Sequence, residues 1–569
     1  MDPETHQAPT PRFLVIGLDA ATYDLIAPWA EKGHLPTFAS LMRSSAYGPL
    51  RSVPNINSAP AWSSFATGKN PGKHGLFWFY ERKVDSYELR YLSGADNPEP
   101  RFWDLWSDAG RSVVVFNVPL SYPAYPINGA MIAGMDSPSE SASGFTWPEA
   151  LCEEIMKAVP RYRIESDVVV LTRTGRWDQA IQELGDMVNA RIELAEYLIN
   201  HKPWDLFVAV FTALDRVQHT FWRHMSPAHP DYDPSLSPRY QDTILQFYQM
   251  MDDAIARLAK RCDENTYILL VSDHGMGNNQ MGSFFLNPLL EEMGFFYRNE
   301  RGSDWHRILR WGVRNVAPHL EGWIPRQVRK QLMSLIPGGR AAVTRELHQS
   351  GCDWSRTRVY TDYVRPELWI NLKGREPQGI VEPGAEYERL RDTIIEALSQ
   401  CVDIETGKPI IDRVWKREEV YWGPKLSRAP DLIIDWNYDV LVQGVRYTDP
   451  MGKTITVTEQ DEIVERRDVS GDHRPDGIFL LHGPRVKPGR VCGQSLLDIA
   501  PTVLYLSGLP ILDDMDGQVV TSALKDADHD AAKQRISATE SLRQDRSAEA
   551  LSPEDEATLE ERLRALGYL

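Results

Sequence analysis

The chain has 569 residues, 42% hydrophobic and 25% charged, enough for one large α/β core with insertions or for several domains, and no run of about 18 apolar residues marks a membrane span. A net charge of −18 argues against a nucleic-acid backbone as the main partner but leaves small anionic substrates open, since local fields and metals meet those. The five cysteines (Cys152, Cys262, Cys352, Cys401, Cys492) are scattered and never form a C-x-x-C pair, which argues against a disulfide framework or a Cys-type zinc site.

Residues 1–11 read as a disordered lead, polar and acidic at the start and without the features of a secretory signal. With reduced thiols, this sets a cytoplasmic location as the expectation. Phe13 to Leu18 is a short apolar run ending on Asp19, the pattern of a buried parallel strand that delivers a carboxylate at its C-terminal end. The stretch Asn57-Ser58-Ala59-Pro60-Ala61-Trp62 running to Thr67-Gly68 starts a helix. Its proline suits the first turn, and the unpaired N–H groups and dipole at that end favour an anion beside Ser58.

Val113 to Phe116 is a further strand, leading to Asn117. Asp205 to Phe211 is another, running on toward Asp215 and His219. Tyr267 to Val271 leads into Asp273 and His274. Between the strands, 186–200 and 240–260 carry apolar residues at helical spacing. Strands alternating with helices predict an α/β fold with a doubly wound, mostly parallel central sheet, whose ligands gather outside the carboxyl ends of the strands.

Residues 301–345 are rich in arginine and chopped by Pro318, Pro325 and Pro337, so they read as a basic helical lid or cap, with a partner face or membrane-surface contact as alternatives. Strand signals return at 368–372, 431–435 and 477–481, and a helix from Asp498 to Gly508 comes after them. Beyond Lys525 a linker leads to a tail helix starting near Ser552-Pro553, with Leu559, Leu563 and Leu566 on one face. It is expected to dock on the body or on a second subunit, allowing a homo-oligomer. The expected division is therefore a lead (1–11), the first part of the core (12–300), a helical insertion (301–356), the rest of the core (357–524) and a linker with its helix (525–569).

Asp215 and His219, four apart, share a face if their segment is helical. Asp273 and His274 converge only where the chain leaves its strand, a place we assign to a turn marked by Gly275 and Gly277. Residues 471–477 read as a polar loop feeding a strand, with His473 placed to close a site. Together these carboxylates and imidazoles suit two divalent cations, zinc first and manganese or iron as alternatives, positioned to activate Ser58 and clamp a leaving oxygen.

The pieces occur in the order Asp19, Ser58-x-Pro60…Thr67-Gly68, Asp215-x-x-x-His219, Ser272-Asp273-His274-Gly275-Met276 and Gly471-x-His473-x-x-x-Gly477. In this the chain resembles the alkaline phosphatase superfamily, nearest its type I phosphodiesterase and nucleotide pyrophosphatase branch, over 12–517. The resemblance implies one metal on Asp215, His219 and His473 and another on Asp19, Asp273 and His274, with Ser58 beside the second. It implies that Ser58 attacks phosphorus in line and passes through a phosphoseryl intermediate. Serine stands where that branch more often has threonine, and Ala61 where it has a phosphate-holding asparagine. Asn57 is the candidate replacement donor.

The expected function is thus a two-metal phosphodiesterase or nucleotide pyrophosphatase acting on a small phosphorylated substrate, a nucleotide, lipid or glycan phosphate. A phosphomonoesterase or a phosphoglycerate mutase-like phosphotransferase is the alternative. A sulfatase fits less well, because Trp62 occupies the arginine position of its C/S-x-P-x-R motif, and a non-catalytic scaffold fits least. The aromatics near Ser58 (Trp62, Phe77, Trp78, Phe79, Trp103, Trp106) are candidates for stacking on a nucleobase, lipid or glycan, with core packing as the plainer reading.

Overall fold

The computed structural model describes residues 11–298, 352–361, 365–458, 469–537 and 553–565, less positions 84, 167, 228, 281 and 528. The basic segment 301–345 lies outside them, as do most of the lead and Leu566.

Arg12–Leu18 forms the middle of a ten-stranded sheet because its residues after Arg12 are buried on both faces. Leu14, Ile16 and Leu18 enter one hydrophobic layer, while Phe13 and Val15 enter the layer on the opposite side. Leu206–Phe211 and Thr266–Val271 flank it in parallel register, Leu18 opposite Phe211 and Gly17 opposite Val271. Val113–Phe116 and Gly129–Ile132 continue the parallel set on one side. On the other side Asp476–His482 runs antiparallel between Thr266–Val271 and Ala46–Arg51.

The reversal at Asp476–His482 matters for the site. The connections that leave the parallel strands and the connection that enters the reversed strand meet at the same end of the sheet. Residues 19, 58, 215, 273 and 274 come from the first kind of connection and residue 473 from the second.

Several expected elements differ in extent. The helix expected at 186–200 is longer, Trp177–His201, and the one expected at 240–260 shorter, Thr243–Ala259. The supposed turn at Gly275 and the supposed loop at 471–477 are instead a two-stranded antiparallel ribbon, Gly275–Asn278 against Gly471–Arg474, with Met276 opposite His473. Gly275 is needed there for close approach, since a Cβ would lie 2.2 Å from the Asp476 carbonyl oxygen.

A second hydrophobic core gathers residues between Phe285 and Val457 around the sheets that include Glu367–Ile370 and Leu432–Trp436 and the helix Ala385–Ser399. Part of the predicted linker packs against the body, with Ala532 buried and Ile536 bridged to Leu512. The tail helix Pro553–Ala565 buries Leu559 and Leu563 in the first core, and Arg562 donates to the carbonyls of Met135, Ser137 and Pro138. Its apolar leucines are spent on its own chain, so a homo-oligomer through this helix finds no support. No helix among the described residues is long and apolar enough to cross a membrane.

Candidate metal centre and serine

Ser58 opens the helix Ser58–Thr67, and Asn57 is its cap: the Asn57 Oδ1 accepts from the Ala59 N–H at 3.1 Å. Ser58 is therefore free of the capping role. Its Oγ lies 3.4 Å from Asp19 Oδ1 and 3.3 Å from His274 Nε2. Asn57 Nδ2 is buried with no hydrogen-bond partner among the described residues, a spare donor on the residue next to Ser58.

The structure gathers the acids and histidines into two groups, Asp215 with His219 and His473, and Asp19 with Asp273 and His274. In the first, His219 Nε2 is 3.1 Å and His473 Nε2 3.4 Å from Asp215 Oδ1. In the second, His274 Nε2 is 3.2 Å from Asp273 Oδ2 and 3.7 Å from Asp19 Oδ1.

The backbone fixes the tautomers. Nδ1 of His219 faces the Gly471 carbonyl at 2.7 Å, Nδ1 of His473 the Ile56 carbonyl at 2.9 Å and Nδ1 of His274 the Gly275 carbonyl at 3.0 Å. A carbonyl only accepts, so each Nδ1 carries a proton and each ring presents its Nε2 toward carboxylate oxygens, the atom that would ligate a cation there. Orienting a ligand imidazole through its other nitrogen is how metal sites are built, and the converging Nε2 and carboxylate oxygens fit a cation.

The electrostatics agree. Burial, then Asp273 and Asp215, push the Asp19 carboxyl well above the usual range, and burial with the Asp215 charge lifts Asp273 to about 7. Burial also works against ionised Asp215, but His219, His473 and Arg216 outweigh it and hold this carboxyl well below its ordinary value. Burial, then His473, press His274 down. Such a cluster is short of positive charge, and the donor set fits two divalent cations.

Supporting residues escape a reading by motif. The Trp62 indole, fully buried, donates to Asp19 Oδ2 at 3.2 Å. Gly17 makes room for it, since a Cβ there would lie 2.5 Å from the indole. Trp62 is thus no stacking platform for substrate, and Phe77, Trp78, Phe79, Trp103 and Trp106 are buried too. Arg216, also buried, bridges Asp215 and Glu165. Ser272 accepts from the Ala21 N–H and donates to the His274 carbonyl, tying two strand ends together. The sequence signalled Ser272 and Trp62 only as members of their motifs, Arg216 only as the neighbour of Asp215, and Gly17 only as a glycine in a strand.

An α/β sheet that carries this donor set at the carboxyl ends of its strands defines a metal-dependent hydrolase of phosphoric esters with an alkaline phosphatase-like fold. The family model described as type I phosphodiesterase / nucleotide pyrophosphatase matches residues 13–473, and the chain belongs to that family. Among solved structures, phosphonoacetate hydrolase from Sinorhizobium meliloti 1021 in complex with phosphonoacetate aligns with a TM-score of 0.50 at 13% identity, covering 88% of this chain and 95% of that one. Human ectonucleotide pyrophosphatase / phosphodiesterase 5 aligns at 0.46 and 14% identity, covering 90% and 100%. At such identity the first likeness shows the fold alone. No curated protein sequence matches the chain.

Proposed function

We propose that the protein hydrolyses phosphodiesters of small molecules, nucleotides, lipids or glycans, through a phosphoseryl intermediate on Ser58. The observation that carries this reading is the placement of the Ser58 Oγ at a helix N-terminus beside the Asp19, Asp273 and His274 group, 3.3 Å from His274 Nε2 and 3.4 Å from Asp19 Oδ1. Zinc is the proposed metal, because three imidazoles stand with three carboxylates. Asp215, His219 and His473 would hold one ion and Asp19, Asp273 and His274 the other. When bound, the ions would supply the positive charge that favours a serine alkoxide and an alkoxide leaving group.

The chain's own groups do the rest. With His274 Nε2 given over to the ion, the Ser58 hydroxyl gives up its proton toward the Asp19 carboxylate, whose Oδ1 lies 3.4 Å from its Oγ. Its oxygen bonds to phosphorus as the bond to the alcohol breaks. The amide ends of the helix and the spare Asn57 Nδ2 donate to the phosphoryl oxygens, Asn57 standing in for the asparagine that Ala61 replaces. Water then bonds to phosphorus, the Ser58–phosphorus bond breaks, and the serine recovers a proton. Membership of a family described by phosphodiester chemistry supports diesters over monoesters, and the free thiols support a cytoplasmic location.

The test is a panel. Purified protein with zinc should hydrolyse bis-nitrophenyl phosphate faster than nitrophenyl phosphate and leave nitrophenyl sulfate essentially untouched. Preference for the monoester would turn the reading to a phosphatase.

A further inference from the structure

The loop that leads to Ser58 is tied to the second hydrophobic core through one buried carboxylate. Asn55 holds a left-handed backbone, φ 57°, a conformation asparagine tolerates better than other side chains. Its Nδ2 donates to Glu367 Oε2 at 2.7 Å and to the Phe77 carbonyl at 3.3 Å. Glu367 is fully buried at the start of the strand Glu367–Ile370, and its other oxygen accepts from Arg365 Nη1 at 2.7 Å and Trp369 Nε1 at 3.1 Å. Arg365 in turn donates to the Tyr80 hydroxyl and lies 3.8 Å from that ring's centroid.

Each residue of the loop between Asn55 and Ser58 has a different attachment. The Ile56 carbonyl receives Nδ1 of His473, and Asn57 caps the Ser58 helix. A shift of Asn55 is therefore passed to a candidate metal ligand and to the candidate nucleophile over a few backbone bonds. A carboxylate shared with an arginine in a dry interior is rigid, because moving any partner leaves a buried charge unpaired.

We propose that Glu367 is a positioning residue which, through Asn55, sets the placement of Ser58 and braces His473. The inference rests on the phosphodiesterase reading of the site, and it assigns the second core a part in catalysis. Asn55 is more than a residue that accepts a left-handed turn: its side chain is the tether.

Glycine at 55 separates the two roles, since it keeps the left-handed backbone at no steric cost and removes only the tether. The experiment compares the zinc-loaded full chain with Asn55→Gly, Glu367→Gln and the double variant on bis-nitrophenyl phosphate. It also measures the rate at which EDTA strips metal from each. Asn55→Gly should lower kcat about tenfold or more with KM within about threefold, and should speed metal loss about threefold or more. The double variant should fall within about twofold of the worse single variant, because both changes cut one link.

Wild-type kcat and stripping rate in Asn55→Gly would overturn the proposal, as would single effects that multiply in the double variant. Should Glu367→Gln fail to fold, Asn55→Gly alone decides. An inactive wild type would overturn the phosphodiesterase reading instead, and the positioning role would then stand or fall on the stripping rates.

Discussion

His219 and His473, 254 residues apart in the chain, hold their Nε2 atoms 3.0 Å from one another. Each ring gives its Nδ1 proton to a backbone carbonyl, so both Nε2 atoms are left to converge on Asp215 Oδ1, where a shared cation would be held. We predict that the protein as purified carries close to two equivalents of divalent metal. His219→Ala and His473→Ala should each remove about one equivalent, and His274→Ala should remove the other. Chelation should lower the melting temperature, since a site held at about a hundred times its Kd contributes about 2.7 kcal/mol. Elemental analysis and calorimetry check this, and undiminished metal in all three variants would sink the ligand sets.

Ser58→Ala should lower kcat by on the order of a thousandfold or more, because no other hydroxyl replaces the covalent step. Metal content should stay near the wild-type value, since the imidazole and carboxylate groups keep their own supports. Quenched-flow trapping of phosphate on the chain should give a labelled protein for the wild type and none for the variant. A variant with normal turnover would remove Ser58 from the mechanism.

Much of this arrangement was legible in the sequence because of where a parallel sheet puts its chemistry. Asp19, Asp215 and Asp273 each come after a continuous apolar run, which marks a strand and its carboxyl end together. His473 was legible as a candidate but not its setting. Gly471–Arg474 is a strand made of glycine and polar residues, without alternation to betray it, and its pairing with Gly275–Asn278 is set by a partner 196 residues away along the Arg474–Asn278 contact. The Trp62–Asp19 and Arg216–Glu165 contacts and the Asn55–Glu367 tether were hidden for the same reason: each joins residues whose closeness exists only in the folded chain.

Trp62→Phe should separate the packing of this residue from its hydrogen bond. The indole is fully buried, edge-on to Phe65 at 5.2 Å, and its N–H supplies a donor to Asp19 Oδ2. Phenylalanine leaves a small void and takes away that donor, which together should cost about 2–3 kcal/mol. The functional signature is selective: affinity for the metal held by Asp19, Asp273 and His274 should fall about 10–100-fold, with the other site little changed. A loss of stability with both metal affinities intact would make Trp62 a core residue only.

His74 should govern part of the acid sensitivity of the fold. Burial, helped by the charges of Arg101 and Lys69, pushes its pKa from the ordinary 6.5 down to about 3. The ring is therefore neutral in the folded protein, with Nδ1 accepting from the Leu76 N–H and Nε2 bonded to Ser64 Oγ. The unfolded chain takes up this proton as the pH drops below 6.5 and the folded one does not until about 3, so the stability contributed at neutral pH is lost on acidification. The loss should reach about 2 kcal/mol by about pH 5. Asp104 and Asp136, both raised to about 6 chiefly by burial, act in the opposite direction, since their protonated forms suit the folded state. The clean measurement is thus a difference between wild type and His74→Gln. The variant should be less stable at about pH 7.5 by about 1–3 kcal/mol, having lost the acceptor for Leu76, and the gap should close by about 2 kcal/mol toward pH 5. A gap that stays constant across that range in denaturant titrations would show that His74 is not held neutral by its surroundings.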